Sequence, residues 1–308
     1  MQIKPKVIVI CGPTASGKTA LGVELAKKIN GEVVSGDSMQ IYKDMQIGTA
    51  KPTQEEMQGI KHYLIDCVSP DERYSVANYK QDAKKAIEEI VSKNKTPIIV
   101  GGTGLYIDSL IYEINYNDIK LDEEYRTKLE DIASTEDGLK KLYEQAKQID
   151  PEAIEKISPN DKKRIIRVLE IYHATGKNKT EQEKNSKSEP EYNYIVFALD
   201  WPRDILYERI NKRVDIMLEQ GLIEEVENIK NKYNKFPTAM QGLGYKEVVD
   251  YLEEKYTKEE MIEKIKMETR RYAKRQLTWF RKNKETIWLD GSQSTEENVK
   301  IIMEKINS

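Results

Sequence analysis

Cysteine, histidine and long apolar runs are all scarce in this 308-residue chain. Cys11 and Cys67 are its two cysteines, far apart in sequence, which excludes a disulfide scaffold and any CxxC metal or redox site. His62 and His173 stand alone, so no histidine-rich metal centre is expected. No stretch approaches the roughly 18 apolar residues that a membrane helix needs. The first apolar run, residues 7–11, is too short for a signal-peptide core. These absences argue against a membrane or secreted protein and for a reduced, cytoplasmic one.

Charge is abundant but nearly balanced, with 50 basic and 53 acidic residues and a net charge of −3. The average hides an asymmetry. Residues 264–284 hold nine Lys/Arg against Glu268 alone, a local charge of +8. Residues 162–179 hold six Lys/Arg against Glu170 alone. Two concentrated basic stretches in a balanced chain form a local electrostatic footprint for a polyanion.

The continuous apolar run at 6–11 predicts a fully buried strand. A glycine loop follows, and then a helix over 18–29 closed by Asn30-Gly31. Further strands are expected at 32–35, 62–68, 96–100 and 194–199. Ser75 reads as the N-cap of a helix with Val76, Tyr79, Ala83, Ile87 and Ile90 on its apolar side. From 115 to 158 the spacing is helical, with Leu121, Tyr125, Leu129 and Ile132 in one stripe and Leu139, Leu142, Tyr143 and Ala146 in another. Asp150-Pro151 predicts a helix start with proline in the first turn. A basic helix begins after Asp161, with Ile165, Leu169 and Tyr172 on its apolar side, and 177–192 reads as a polar surface loop. After 200 the chain reads as mostly helical, and Thr257 and Glu260 predict a capping box. The expected fold is α/β: a P-loop-type parallel sheet flanked by helices, built from 1–114 and 159–308, with a small all-helical insertion at 115–158.

Gly12-Pro13-Thr14-Ala15-Ser16-Gly17-Lys18-Thr19 fits GxxxxGK[ST] between a strand and a helix. The glycines let backbone N–H groups curl around phosphate oxygens, and the helix N-terminus adds its dipole. Lys18 supplies a point charge, and the Thr19 hydroxyl is a ligand for Mg²⁺. The motif does not say what happens to the phosphate. A triphosphatase wants a carboxylate ending a later strand, for which Asp66 and Asp200 are the candidates. A diphosphate leaving group would suit the loop equally.

Asp37 closes the second strand, which is expected to neighbour the first. Ligands bind beyond the carboxyl ends of parallel strands. There, Asp37 is either a general base over the bound phosphates or a plain Asx turn.

With residues 12–19 and 37–42 side by side, the chain resembles the tRNA dimethylallyltransferases, also called tRNA isopentenyl transferases. The match continues through Ile47-Gly48-Thr49-Ala50-Lys51-Pro52, His62-Tyr63-Leu64-Ile65-Asp66 and Tyr74-Ser75-Val76-Ala77-Asn78-Tyr79. Gly101-Gly102-Thr103-Gly104-Leu105-Tyr106, Lys163-Arg164-Ile165-Ile166-Arg167, Arg209-Ile210-Asn211-Lys212-Arg213 and Gly242-Leu243-Gly244-Tyr245-Lys246-Glu247 extend it. It ends in the basic and aromatic run at 269–281, so it spans nearly the whole chain. Asn178 and Thr180 depart from the family's proline and serine, and no Cys/His pattern follows Trp279. The chain therefore looks like the shorter bacterial form.

The resemblance implies transfer of a dimethylallyl group from dimethylallyl diphosphate to N6 of the adenine just 3′ of a tRNA anticodon. It places Asp37 as the base, while Lys18, the loop and Thr19-bound Mg²⁺ stabilise the departing diphosphate. Arg213 matches the family's arginine best, and Arg209, one turn earlier, competes for that role. Ser38, Met39 and Gln40 resemble the segment that meets the extruded adenine, which Thr103 would also face. Arg126 resembles a tRNA-contacting position. Lys163, Arg164 and Arg167, with the i,i+4 pairs Arg270/Lys274 and Arg271/Arg275, would meet the anticodon stem-loop through its phosphates. Trp279 and Phe280 are expected in the core rather than on bases. The implied partners are tRNA and dimethylallyl diphosphate, with no membrane, and the chain is expected to act as a monomer. A small-molecule or nucleotide kinase would share the loop and Mg²⁺ but would not need the +8 stretch. A non-catalytic RNA adaptor would not need Asp37.

Overall fold

The computed structural model describes residues 4–114, 122–184 and 188–307, which form two compact units. The first comprises Met1–Ile111 and Glu191–Ser308, the second Tyr112–Pro190.

The first unit is built on six parallel strands: β1 (Lys6–Cys11), β2 (Gly31–Ser35), β3 (His62–Tyr63), β4 (Thr96–Gly101), β5 (Asn193–Asp200) and β6 (Ile287–Asp290). Their order across the sheet is β3-β2-β4-β1-β5-β6. The continuous apolar run of β1 reflects cover on both faces. Val7, Val9 and Cys11 pack with Val34, Tyr79, Ile87, Ile99 and Phe280 on one side. Ile8 and Ile10 pack with Leu21, Leu25, Val33, Ile98 and Ile302 on the other. Each such side chain contributes about 1.5–3 kcal/mol through burial. Burial also pushes the Cys11 thiol up to about 12, which leaves it unreactive at neutral pH.

Three expectations change here. β4 lies between β2 and β1, so Asp37 and the phosphate loop are not on neighbouring strands. β3 is two residues long rather than seven, because Leu64 and Asp66 take left-handed φ values of 61° and 54°. Val68 then makes an isolated bridge to Tyr42. β6 was not anticipated: four residues extend the sheet beyond β5 through Leu289, which is buried against Ile302.

The helices follow their caps. Ser75 and Asn78 form a capping box for Val76–Ser92, as Thr257 and Glu260 do for Lys258–Phe280. At the end of the latter helix Phe280 is buried, and Trp279 packs on the same core and donates from Nε1 to Asp108 Oδ2 at 2.8 Å.

The second unit is helical, with Glu123–Ile132, Glu136–Ile149, Pro151–Glu155, Lys162–Thr175 and Lys179–Lys184. Asp150 caps Pro151–Glu155 by accepting from Ala153 N, with proline in the first turn. The basic helix Lys162–Thr175 belongs to this unit, where Ile165, Ile166 and Leu169 pack on Leu129, Leu142 and Ala146. The insertion is thus wider than 115–158. Its expected start and Leu121 lie outside the described residues. In the stretch that departs from the family pattern, Asn178 Oδ1 accepts from Glu181 N at 2.7 Å. Thr180 donates to Asp150 from its backbone N–H at 2.8 Å and from its hydroxyl at 2.7 Å. No helix among the described residues is long and apolar enough to cross a membrane.

Candidate active site

A cleft of about 740 Å³ opens in the first unit at the carboxyl ends of β1, β2 and β4. Thr14 to Ala20 line one side, and Asp37, Ser38, Met39 and Gln40 another. Arg209, Arg213, Tyr272, Arg275 and Gln276 reach it from the helices Arg203–Glu219 and Lys258–Phe280.

The phosphate loop is held from outside. Gly17 takes φ 92°, a left-handed conformation that favours glycine, and opens the helix Lys18–Lys28 with no side-chain cap. The first N–H groups of that helix are therefore left for an anion. Lys18 Nζ donates to Pro13 O at 2.5 Å, while Gly12 and Pro13 are buried behind the loop. Trp201 Nε1 donates to Ser16 O at 3.0 Å, Arg209 Nε donates to Ala15 O at 2.9 Å, and Thr14 N donates to Gln276 Oε1 at 2.9 Å.

These contacts separate the two competing arginines. Arg209 stacks its guanidinium 4.2 Å from the centre of the Trp201 ring and is committed to the loop's backbone. Arg213 makes no hydrogen bond or ion pair with any described residue. Burial and the charge of Arg209 push its pKa below the ordinary value, while Asp37 and Glu56 act the other way. Lys18 is pushed down to about 8, chiefly by burial and then by Arg213, against the opposing pull of Asp37. Six Lys or Arg side chains line this cleft against the carboxylates of Asp37, Glu56 and Glu268, an excess of positive charge suited to an anion with more than one charge.

Asp37 makes the Asx turn that its position suggested. Its Oδ1 closes an Asx turn, accepting from Met39 N at 2.9 Å and Gln40 N at 3.4 Å. Its Oδ2 has no hydrogen-bond partner among the described residues. β4 bridges the gap between β2 and the loop with its glycine turn. A Cβ on Gly101 would lie 2.2 Å from the backbone of Gly36, so only glycine lets β4 end this close to Asp37. Thr103 N donates to Gly36 O at 3.1 Å, and Thr103 Oγ1 accepts from Ser38 N at 3.0 Å. Thr103 therefore fixes the Asp37 segment. The Gln40 carboxamide is likewise engaged, by Thr49 O and Ala50 O at 3.3 Å each, and Met39 packs beside Tyr245 and Met240.

Two carboxylates weighed as metal ligands are used elsewhere. Asp66 pairs with Lys51, and Asp200 pairs with Arg281 at 3.2 Å. No group of three or more His, Cys, Asp or Glu among the described residues is arranged to hold a metal ion.

The expected cationic row on Lys258–Phe280 divides. Arg275 lines the cleft, whereas Arg271 and Lys274 are exposed and outside it. Arg270 donates to Asn211 Oδ1 at 2.6 Å, tying this helix to Arg203–Glu219. In the second unit, Arg126 is held by Glu130 at 2.9 Å and by the buried Glu170 at 3.0 Å. Arg167 lies 3.6 Å from Glu170, Arg164 pairs with Asp161 at 3.4 Å, and Lys163 is exposed.

Trp201, Tyr272 and Gln276 were not singled out as site residues from the sequence. Burial and the charge of Asp37 push the Tyr272 hydroxyl up to about 12. Gln276 did carry a signal, since it is a polar residue in the buried stripe between Ala273 and Phe280.

The family model described as IPP transferase matches residues 40–283. A tRNA dimethylallyltransferase of Acetivibrio thermocellus is 54% identical over 286 residues, covering 92% of this chain and 91% of its own. The full-length tRNA isopentenylpyrophosphate transferase of Bacillus halodurans superposes with a TM-score of 0.74 at 43% identity, covering 99% of this chain and 96% of that one. A eukaryotic dimethylallyltransferase captured acting on tRNA gives a TM-score of 0.81 at 34% identity, covering 98% of this chain and 80% of that one. Matched along nearly its whole length in sequence and in fold, the chain belongs to the IPP transferase family.

Proposed function

We propose that this chain transfers the dimethylallyl group of dimethylallyl diphosphate to N6 of the adenine 3′-adjacent to a tRNA anticodon. The products are N6-isopentenyladenosine and diphosphate. The observation that carries this reading is the convergence of Lys18, Arg213 and Asp37 on one cleft at the phosphate loop.

The chemistry assigns each residue a task. The allylic C1–O bond breaks, a bond from N6 to C1 forms, and the N6 proton must go to a base. Lys18, the N–H groups at the start of Lys18–Lys28 and Arg213 stabilise the charge that develops on the departing diphosphate. Asp37 Oδ2 accepts the proton while Oδ1 stays in its turn, so the base is fixed before substrate arrives. Arg209 and Trp201 hold the loop's carbonyls and act through its geometry. Thr103 and Ser38 set the position of Asp37.

The donor set suits Mg²⁺ arriving with the diphosphate. Beside the loop the cleft offers the Thr19 hydroxyl and no carboxylate cluster. Mg²⁺ keeps several waters and takes one or two protein ligands together with phosphate oxygens. Thr19 would hold it, and the ion would neutralise charge on the diphosphate.

Arg275 at the cleft and the exposed Arg271 and Lys274 suit RNA phosphates near the site. Lys163, Arg164 and Arg167 add cationic groups on the second unit. This reading places the chain's work in the cytoplasm with tRNA. A kinase, the competing expectation, is not what the family membership supports. The test is diphosphate release in the presence of Mg²⁺, dimethylallyl diphosphate and an anticodon stem-loop. Release matched one-for-one by prenylated RNA supports the proposal. ATP turnover without RNA prenylation overturns it.

A further inference from the structure

Among the polar side chains of the cleft, Gln276 bonds to two walls at once. It is 5% exposed and sits near the end of the helix Lys258–Phe280. Its Oε1 accepts from Thr14 N in the phosphate loop at 2.9 Å. Its Nε2 donates to Gly102 O, in the turn after β4, at 2.8 Å. The partners fix the orientation of the amide, because Thr14 N–H can only donate and Gly102 O can only accept. A carboxylate lacks the donor, and an ammonium lacks the acceptor.

The residues on either side of this bridge belong to the two halves of the reaction. Thr14 lies in the loop that receives diphosphate. Gly102 precedes Thr103, whose hydroxyl accepts from Ser38 N beside Asp37. Two strands that are neighbours in the sheet, β1 and β4, thus have their C-terminal loops joined by a side chain from a third element. Arg270 and Lys266 anchor the same helix to Arg203–Glu219, which carries Arg213, through Asn211 at 2.6 Å and Asp215 at 2.6 Å.

We infer that Gln276 is a positioning residue for the transfer reaction, holding the phosphate loop and the Gly102–Thr103 turn at the separation the reacting groups need. The inference rests on the proposed prenyl transfer. Its amide oxygen and nitrogen are committed to Thr14 and Gly102, and it acts through them.

Three proteins test it: the parent, Gln276→Met and Gln276→Glu. Methionine keeps the volume and removes both bonds. Glutamate keeps the shape and loses the donor while ionised. Steady-state transfer is measured from pH 5.5 to 8.5, with thermal unfolding recorded alongside. For Gln276→Met, kcat/KM for dimethylallyl diphosphate should fall about tenfold or more, with the KM for RNA within about twofold of the parent. Gln276→Glu should be the worse variant at pH 8, where its carboxylate faces the Gly102 carbonyl and adds charge beside the diphosphate. Its activity relative to the parent should recover as pH falls, because a protonated carboxyl both donates to Gly102 O and accepts from Thr14 N–H. The Gln276→Met ratio should stay flat with pH.

A purely structural role would lower the melting temperature of both variants and leave both ratios flat. That outcome overturns the inference, as do parent-like constants in folded Gln276→Met. If the parent itself transfers no dimethylallyl group, the proposed function fails. Calorimetric binding of inorganic diphosphate with Mg²⁺ then decides about Gln276: roughly tenfold weaker binding to Gln276→Met supports it, and equal binding overturns it.

Discussion

Replacing Arg213 and Arg209 one at a time should separate two arginines that stand one turn apart on the same helix. Arg213→Gln removes a cation that has no hydrogen-bond partner among the described residues. The folded state therefore loses no hydrogen bond, the burial cost of Arg213 and its repulsion from Arg209 offset the attraction of Asp37 and Glu56, and Lys18 loses a neighbour that lowers its pKa. Removing one group that stabilises developing charge in a transition state costs roughly 10²–10³ in rate, about 3–4 kcal/mol. Arg209→Gln instead breaks the bond to Ala15 O and the stack on Trp201. Those contacts are worth about 1 kcal/mol each, so stability should fall by ~1–2 kcal/mol and activity by roughly tenfold or less. The assays are kcat/KM for dimethylallyl diphosphate and thermal unfolding. Arg213→Gln should be nearly inactive at parental stability, and Arg209→Gln active but destabilised. The pH profile adds a second reading. Lys18 must be charged to meet diphosphate, so parental kcat/KM should fall as pH rises through about 8. In Arg213→Gln that limb should move to higher pH, since the cation that disfavours charged Lys18 has gone. A larger activity loss in Arg209→Gln, or an unmoved limb, would refute the assignment.

Three further outcomes are expected. Asp37→Asn keeps an oxygen for the Met39 N–H but is no base, so melting should be unchanged while transfer falls by roughly 10²–10⁴. Gly101→Ala drives a methyl into the backbone of Gly36 at 2.2 Å, so chemical denaturation should show at least about 3 kcal/mol of lost stability. The double change Arg271→Gln and Lys274→Gln removes two exposed cations outside the cleft and frees Glu268 at its edge from its partner Arg271, so it should raise the KM for RNA and flatten its dependence on log salt by about 1–2, with the KM for dimethylallyl diphosphate within about twofold of the parent.

Local patterns in the sequence were legible and tertiary choices were not. The phosphate loop, Asp37 at the end of β2, and the caps at Ser75, Asp150 and Thr257 depend on short-range chemistry. Strand order depends on where each crossover returns, so nothing in residues 1–40 shows that β4 will enter between β1 and β2. The basic helix Lys162–Thr175 has an apolar stripe that any core would accept, and its partners Leu129 and Leu142 decided which unit it joined. Arg209 and Arg213 are equivalent by spacing, and the tertiary contacts of Arg209 with Trp201 and Ala15 O tell them apart. β6 has too few residues for a pattern and is recognised by its pairing with β5.

The most direct test of the central claim uses two anticodon stem-loops that differ in one base. Purified protein, Mg²⁺ and radiolabelled dimethylallyl diphosphate are incubated with RNA carrying adenine or guanine just 3′ of the anticodon. The nucleosides are then resolved by chromatography and mass. The account predicts label in the adenine RNA alone, on N6 of that nucleoside, and none with Asp37→Asn. Label in both RNAs, in neither, or undiminished in Asp37→Asn would contradict it.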